Sequence, residues 1–150
     1  MENELLHYTI PATQKPHYWI YIEGKDIWNH WITSEQDPQE AYDGGYNEPI
    51  IAKINKNIKV HCGEENDIPS PKDEIDFRNT IWDEDVKFEG FVFKSQLSFE
   101  GSKFNKAASF MGAKFHNRAL FAQSEFLGQS SFIVTTHPPT DQFHPLTPSE

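Results

Sequence analysis

A chain of 150 residues that is 37% apolar and 14% aromatic is long enough to bury a core in one domain or slightly more. Its formal net charge is −10, its single cysteine is Cys62, and no apolar run approaches the length of a membrane span. These features exclude an internal disulfide and a transmembrane helix. The start Met-Glu-Asn-Glu lacks the basic region and apolar core of a signal peptide, so we expect a cytoplasmic protein.

The N-terminal segment, residues 1–74, predicts a small acidic β-rich unit. A short strand is possible at 7–10. Aromatic and β-branched residues fill 17–22 and 27–32, on either side of the turn-forming sequence Glu-Gly-Lys-Asp. This arrangement is typical of a β-hairpin.

The rest of the N-terminal segment predicts a short helix, two more strands and a loop. Asp37 would cap the helix and Pro38 would occupy its first position. The apolar runs 50–54 and 58–62 indicate two strands joined by a turn at Lys56-Asn57. Residues 63–73 are acidic and contain two prolines, which favours a loop.

Residues 75–132 carry an internal repeat, which is the strongest signal in the sequence. Large apolar anchors recur at steps that alternate between five and six residues, so the full period is eleven residues. The anchors are Phe77, Trp82, Phe88, Phe93, Phe99, Phe104, Phe110, Phe115, Phe121, Phe126 and Phe132. A second apolar or small residue precedes each anchor by two positions, and a glycine follows Phe88, Phe99, Phe110 and Phe126 by two positions.

This spacing does not match an α-helix, because steps of three or four residues between anchors never occur. It indicates a winding chain of very short extended segments, each pointing its anchor and the residue two before it inward. The remaining residues would face water. Glycine two positions after an anchor suits a turn with a positive φ.

The sequence Phe-Glu-Gly-Ser-Lys-Phe-Asn-Lys-Ala-Ala-Ser-Phe at 99–110 illustrates the motif, and the pattern over 75–132 resembles the pentapeptide-repeat family. The resemblance implies an all-β fold, a short right-handed quadrilateral β-solenoid with about 20 residues per coil. The six-residue steps depart from the family pattern and predict about 22 residues per coil. Residues 22 apart would then stack, with Lys103 over Glu125 and Lys114 over Val92.

The C-terminal segment, residues 133–150, contains four prolines, which prevent another coil because each removes a ladder donor. It would either cover the last coil, with Phe143 and Leu146 packing down, or extend as a linear motif. At the other end, an open first coil would expose apolar surface and strand edges. We expect Trp19, Tyr21, Trp28 and Trp31 to close that end partly or to form a small sheet beside it. Core packing is favoured over a ligand platform for these aromatic rings.

Acidic residues are concentrated at the N-terminus. Residues 1–76 hold fifteen acidic and six basic side chains (−9), residues 77–132 hold six and seven (+1), and the tail holds two acids (−2). Some pentapeptide-repeat proteins protect or inhibit DNA gyrase by imitating duplex DNA, as the resemblance implies. Here the solenoid is nearly neutral and only about 12 Å long, so mimicry by the solenoid itself is disfavoured.

No catalytic residue, cofactor site or metal site is predicted. The chain lacks a phosphate loop, a dinucleotide fingerprint and the common nucleophile and metal motifs. Adjacent His61 and Cys62 would point to opposite faces of a strand. The run 83–85, Asp-Glu-Asp, is either a divalent-cation site or a solvated turn, and the turn is favoured. The basic solenoid residues fall on several sides, which argues against direct nucleic-acid binding.

The sequence therefore predicts a non-catalytic protein–protein interaction or scaffold module with no membrane contact and a possible homodimer contact through a solenoid end. The alternative is an acidic DNA-mimic inhibitor of a topoisomerase, nuclease or defence complex, acting through the N-terminal half. The candidate partner-binding residues are Glu35, Asp37, Glu40, Asp43, Trp28 and Trp31.

Overall fold

The structure, a computed structural model, describes residues 9–34 and 47–132. The N-terminal part contains strand β1 (Ile10–Pro11), a 3-10 turn (Ala12–Gln14) and helices α1 (Tyr18–Tyr21), α2 (Lys25–Ser34) and α3 (Glu48–Cys62). Eleven short strands follow: β2 (Ile75–Asp76), β3 (Thr80–Trp82), β4 (Val86–Lys87), β5 (Val92–Phe93), β6 (Leu97–Ser98), β7 (Lys103–Phe104), β8 (Ala108–Ser109), β9 (Lys114–Phe115), β10 (Ala119–Leu120), β11 (Glu125–Phe126) and β12 (Ser130–Ser131).

The predicted β-hairpin is wrong, because residues 17–22 and 27–32 lie in and around helices α1 and α2. In α2 the buried side chains are Trp28, Trp31 and Ile32, which lie three and four residues apart on one face of a helix. The aromatic content suggested strands, but the spacing of the buried positions follows the helical period.

The two strands predicted at 50–54 and 58–62 are also wrong, since helix α3 covers both and the expected turn lies inside it. Asn47 caps α3 by accepting a hydrogen bond from the Ile50 amide at 3.3 Å, and a proline occupies the first turn. Ile54 and Ile58, four residues apart, are fully buried. The N-terminal unit is therefore mainly helical, and the described chain is not all-β.

The other N-terminal predictions have mixed outcomes. The short strand expected at 7–10 falls within the described residues only at its end, where β1 begins at Ile10. The helix expected after Asp37 lies outside the described residues. Residues 63–73 contain no helix or strand, as predicted.

The repeat segment forms a β-solenoid-like stack of parallel sheets. The four sheets have the orders β1-β3-β7-β11, β2-β6-β10, β4-β8-β12 and β5-β9. Within the repeat, paired residues lie 22 positions apart, as in Ile75, Leu97 and Ala119. The predicted 22-residue coil is confirmed, including Glu125 beside Lys103 and Lys114 beside Val92.

The anchors point inward, as predicted, and stack in four columns. Phe99 and Phe110 are fully buried, and Phe121 is 3% exposed. In one column Trp82, Phe104 and Phe126 lie with ring centroids 6.0 and 4.6 Å apart and nearly parallel planes. The other columns are Phe77-Phe99-Phe121, Phe88-Phe110-Phe132 and Phe93-Phe115. Aromatic stacking therefore runs continuously along the core.

The five-residue steps use a tight corner with a positive φ two residues after the anchor. Gly90 has φ +74°, and the Phe91 amide donates to the Phe88 carbonyl at 3.2 Å, the features of a type II turn. Asn79 and Gln123 adopt positive φ at equivalent positions. Gly128 differs from these residues, because it lies in a six-residue step and its φ is not positive. Its backbone instead lies close to the backbone of the previous coil.

Candidate functional site

The N-terminal cap, which we define as residues 9–34 and 47–62, covers the open edge of the first solenoid coil. Strand β1 pairs in parallel with β3, and the Ile10 amide donates to the Asn79 carbonyl at 2.9 Å. The Tyr21 hydroxyl accepts a hydrogen bond from the Lys87 amide in β4 at 3.0 Å. Two of the four first-coil strands thus receive a partner from the cap.

The remaining two first-coil strands, β5 and β2, are covered by side chains of the cap. At β5, the Trp28 indole donates to the Val92 carbonyl at 2.8 Å, and Asn29 Oδ1 accepts from the Val92 amide at 2.8 Å. At β2, His17 Nδ1 accepts from the Asp76 amide at 3.4 Å. An exposed strand edge is a template for pairing with other chains, and the cap contacts the first-coil strand of each of the four sheets.

The predicted closure of this end is confirmed for Trp28 and Tyr21, whose rings pack on Phe88 and Phe91. Trp19 contributes differently, because it stacks on His61 at 4.6 Å on the outer side of the cap. The alternative of a separate small sheet is wrong, since the cap is helical.

The candidate partner-binding residues are not brought together on one described surface. Trp28 is fully buried and Trp31 is 1% exposed, with its indole donating to the Pro69 carbonyl at 3.0 Å. These two tryptophans therefore pack in the core, as favoured over a ligand platform. The four acidic candidates, Glu35, Asp37, Glu40 and Asp43, lie outside the described residues.

His17 is buried at the seam between cap and solenoid. Its Nε2 atom has no hydrogen-bond partner, and its ring lies among Trp28, Trp31 and Phe77. Burial lowers the pKa of His17 to about 4, against the nearby charge of Asp76, which raises it. The imidazole is therefore neutral in the folded protein at pH 7.

The acidic run at 83–85 forms a hydrogen-bonded corner. Asp83 accepts from the Asn105 amide group at 2.5 Å, and Asp85 accepts from the Ala107 amide at 3.3 Å. Glu84 accepts from the Tyr18 hydroxyl at 2.9 Å, and burial together with this bond raises the pKa of Tyr18. The described residues contain no group of three or more His, Cys, Asp or Glu suited to a metal ion. The carboxylates instead tie this corner to the next coil and to the cap.

Another corner, where β5 leads to β6 and β9 leads to β10, is basic. We define the basic corner as five exposed residues: Lys72, Lys94, Lys114, His116 and Arg118. The two coils are held in register there, because the His116 amide donates to the Phe93 carbonyl and the Leu97 amide donates to the Arg118 carbonyl, both at 2.9 Å. Lys72 comes from the linker, which we define as residues 63–74 between α3 and the first coil. The sequence-based expectation that the basic residues fall on several sides did not identify this group.

A cleft of about 470 Å³ lies at the basic corner, between the end of α2, the linker and the solenoid. Its lining residues are Ile32, Pro71, Lys72, Glu74, Lys94, Ser95, Gln96 and Asn117. The linker is fixed against the solenoid by two hydrogen bonds. Ser95 Oγ donates to the Pro71 carbonyl at 2.6 Å, and Gln96 Nε2 donates to Glu74 Oε2 at 2.8 Å.

Three basic residues of this corner have no ion-pair partner among the described residues. Glu74, the acidic residue in the lining, already accepts the hydrogen bond from Gln96 and lies 3.7 Å from the Arg78 guanidinium. Lys72, Lys114 and Arg118 form no ion pair in residues 9–34 and 47–132. Within residues 9–34 and 47–132, these three side chains therefore place positive charge without a carboxylate partner on a protein whose net charge is −10.

In the part of the chain that the structure describes, no helix combines the length and apolar character required to cross a bilayer. Comparisons with known protein families, with curated proteins and with solved structures find no match to this chain.

Proposed function

We propose that the chain is a right-handed, four-sided β-solenoid of the pentapeptide-repeat kind that acts as a non-catalytic protein–protein interaction module. The observation that carries this proposal is the separation of inward and outward positions. The side chains of Trp82, Phe104 and Phe126 stack inside the core. The residues just before them, Ile81, Lys103 and Glu125, share the same register but face outward, and they are apolar, basic and acidic in turn. Outward side chains on such a rod can vary to suit a partner without disturbing the core.

Four parallel sheets around one aromatic core support the four-sided geometry. A right-handed path is supported by the strong general preference for right-handed connections between parallel strands. The proposal includes a cytoplasmic location, where the thiol of Cys62 would stay reduced.

The test is affinity purification of the tagged full-length chain from an extract of its native host, followed by reconstitution with the recovered protein. We expect a defined complex by analytical ultracentrifugation. The matched control is Phe110→Ala, which removes a fully buried ring and should reduce binding by loosening the solenoid. Sedimentation of the chain alone would show whether a second copy pairs through a solenoid end. Failure to form any defined complex, with itself or with another protein, would refute the proposal.

A second candidate is the DNA-mimic inhibitor, which is favoured by the concentration of acidic residues in the N-terminal half (−9 in residues 1–76). Its test is charge reversal of the four acidic candidates, Glu35, Asp37, Glu40 and Asp43. The control is reversal of three solenoid acids, Glu89, Glu100 and Glu125. Loss of the partner in the first variant alone would favour mimicry, and retention in both would place the contact elsewhere.

A further inference from the structure

We propose that the basic corner is the partner-docking surface, and that it receives an acidic peptide segment of the partner. This inference rests on the protein-binding role proposed above and adds the place and the chemistry of the contact.

The cleft has the size and lining of a peptide site. A volume of about 470 Å³ falls in the usual range of ligand clefts and suits a few side chains. Pro71, which is partly exposed, supplies an apolar wall against which the aliphatic part of a peptide can pack. Asn117 Oδ1 already accepts the Arg118 amide at 2.8 Å, which leaves the Asn117 N–H groups to donate to an incoming carboxylate.

The charge at the corner selects an anionic occupant. Lys72 lines the cleft, and Arg118 follows the lining residue Asn117. Neither has a carboxylate partner in the described residues, and the same holds for Lys114. Like charges held at one corner repel each other, and an anion placed between them removes that repulsion. Glu74 weakens the field little because Arg78 and Gln96 already compensate it.

The extent of the basic corner favours a peptide over nucleic acid. The basic corner spans two coils, which are separated by one strand spacing of about 4.8 Å. With its side chains, the corner therefore extends on the order of 10 Å along the solenoid axis. Nucleic-acid binding proteins instead show long basic stripes that contact many phosphates. Away from the corner, in the sheet that contains β7 and β11, the position of Lys103 is taken one coil later by Glu125. The net charge of the whole chain is −10. A long polyanion would be repelled by that charge, whereas a short acidic segment keeps its charge within the corner.

The experiment measures binding of a short fluorescein-labelled peptide of glutamate, serine and leucine to the full-length chain by fluorescence anisotropy. The test variant is Lys72→Glu/Arg118→Glu. The matched control is Lys87→Glu/Lys106→Glu, which makes the same charge change at exposed residues away from the corner. Circular dichroism establishes that each variant keeps the fold.

We expect the peptide to bind the wild type and the control, and the corner variant to lose affinity by about ten- to a hundredfold. No peptide binding, or equal loss in both variants, would overturn the inference. So would tighter binding of a duplex DNA probe than of the peptide. A reconstituted partner complex that is unaffected by the corner variant would overturn this inference alone, while the interaction module would stand.

Discussion

Substitution of Trp28 by alanine tests whether cap and solenoid share one core. Trp28 is fully buried, packs on three rings of the first coil and donates to the Val92 carbonyl at 2.8 Å. Truncating a buried tryptophan costs about 3–5 kcal/mol. For a chain of this size, that loss corresponds to a fall in Tm of about 6–20 °C. Trp28→Phe keeps a ring but leaves the carbonyl without its donor, which costs about 1–3 kcal/mol.

The assay is urea denaturation followed by far-UV circular dichroism, with Tm measured in parallel. Val60→Ala is the control, since Val60 is 64% exposed and its truncation should change stability by less than about 0.5 kcal/mol. If Trp28→Ala left the Tm unchanged and abolished partner binding, Trp28 would be a binding residue and the core placement would be refuted.

Three further predictions address the solenoid and the seam. Phe110→Ala should lower the free energy of unfolding in urea by about 3–5 kcal/mol, whereas the exposed Met111→Ala should change it by less than about 0.5 kcal/mol; equal effects would contradict the stacked core. In Gly112→Ala the new Cβ would make only ordinary contacts, so the loss in free energy of unfolding should be about 1–2 kcal/mol and arise from the φ of +72°. In Gly128→Ala the new Cβ would lie 2.5 Å from the backbone of the previous coil, so the loss in the same urea titration should be larger. Because burial lowers the pKa of His17 to about 4, the unfolded state binds the proton more readily. The contribution of His17 to the free energy of unfolding should therefore be fully present above pH 6.5 and be lost as the pH falls through about 4. The loss should amount to about 3 kcal/mol in the wild type and should be absent in His17→Gln. Identical pH profiles of the two proteins would contradict a buried neutral imidazole.

The solenoid could be predicted because its packing is nearly one-dimensional. Each inward residue meets its equivalent 22 positions away, so the spacing of the anchors in sequence is also their spacing in the core. Alternation of five and six residues proved to have a structural cause. Each five-residue step turns the corner through a residue with positive φ, such as Gly90. The six-residue steps turn the corner without a positive-φ residue and contain one more residue.

The cap was mispredicted because local composition outweighed spacing. Trp28, Trp31 and Ile32 follow the helical period, and the same is true of Ile54 and Ile58. Asn47 with a proline close behind is also a helix-start signal. The aromatic and β-branched composition of these segments nevertheless resembled strands. In the structure α2 packs against β5 of the first coil, and α3 packs against α1 and the 3-10 turn, so the apolar faces of both helices are buried by tertiary contacts.

The basic corner lay beyond sequence reasoning for a different reason. Lys72 precedes the first coil and Arg118 ends the second coil, and the folded linker brings Lys72 to the cleft beside Asn117. Ser95 and Gln96 hold the linker there through hydrogen bonds to Pro71 and Glu74. Lys72, Lys94 and His116 are 22 residues apart, but the linker lies outside the recognised repeat, so its register with the coils was not predicted.

The cap gives the solenoid one closed end, and this has consequences for cooperativity. Repeat proteins gain stability from the contact between neighbouring coils, so a first coil without a neighbour is the weakest point of the stack. Here the cap supplies that neighbour through both rings and strand-edge hydrogen bonds, as Trp28 does at β5 and Tyr21 at β4. Because the linker that leaves the cap also forms one wall of the basic cleft, loosening the cap would disturb the proposed docking surface as well as the core. We therefore expect the folding of the cap and the shape of the proposed docking surface to be coupled.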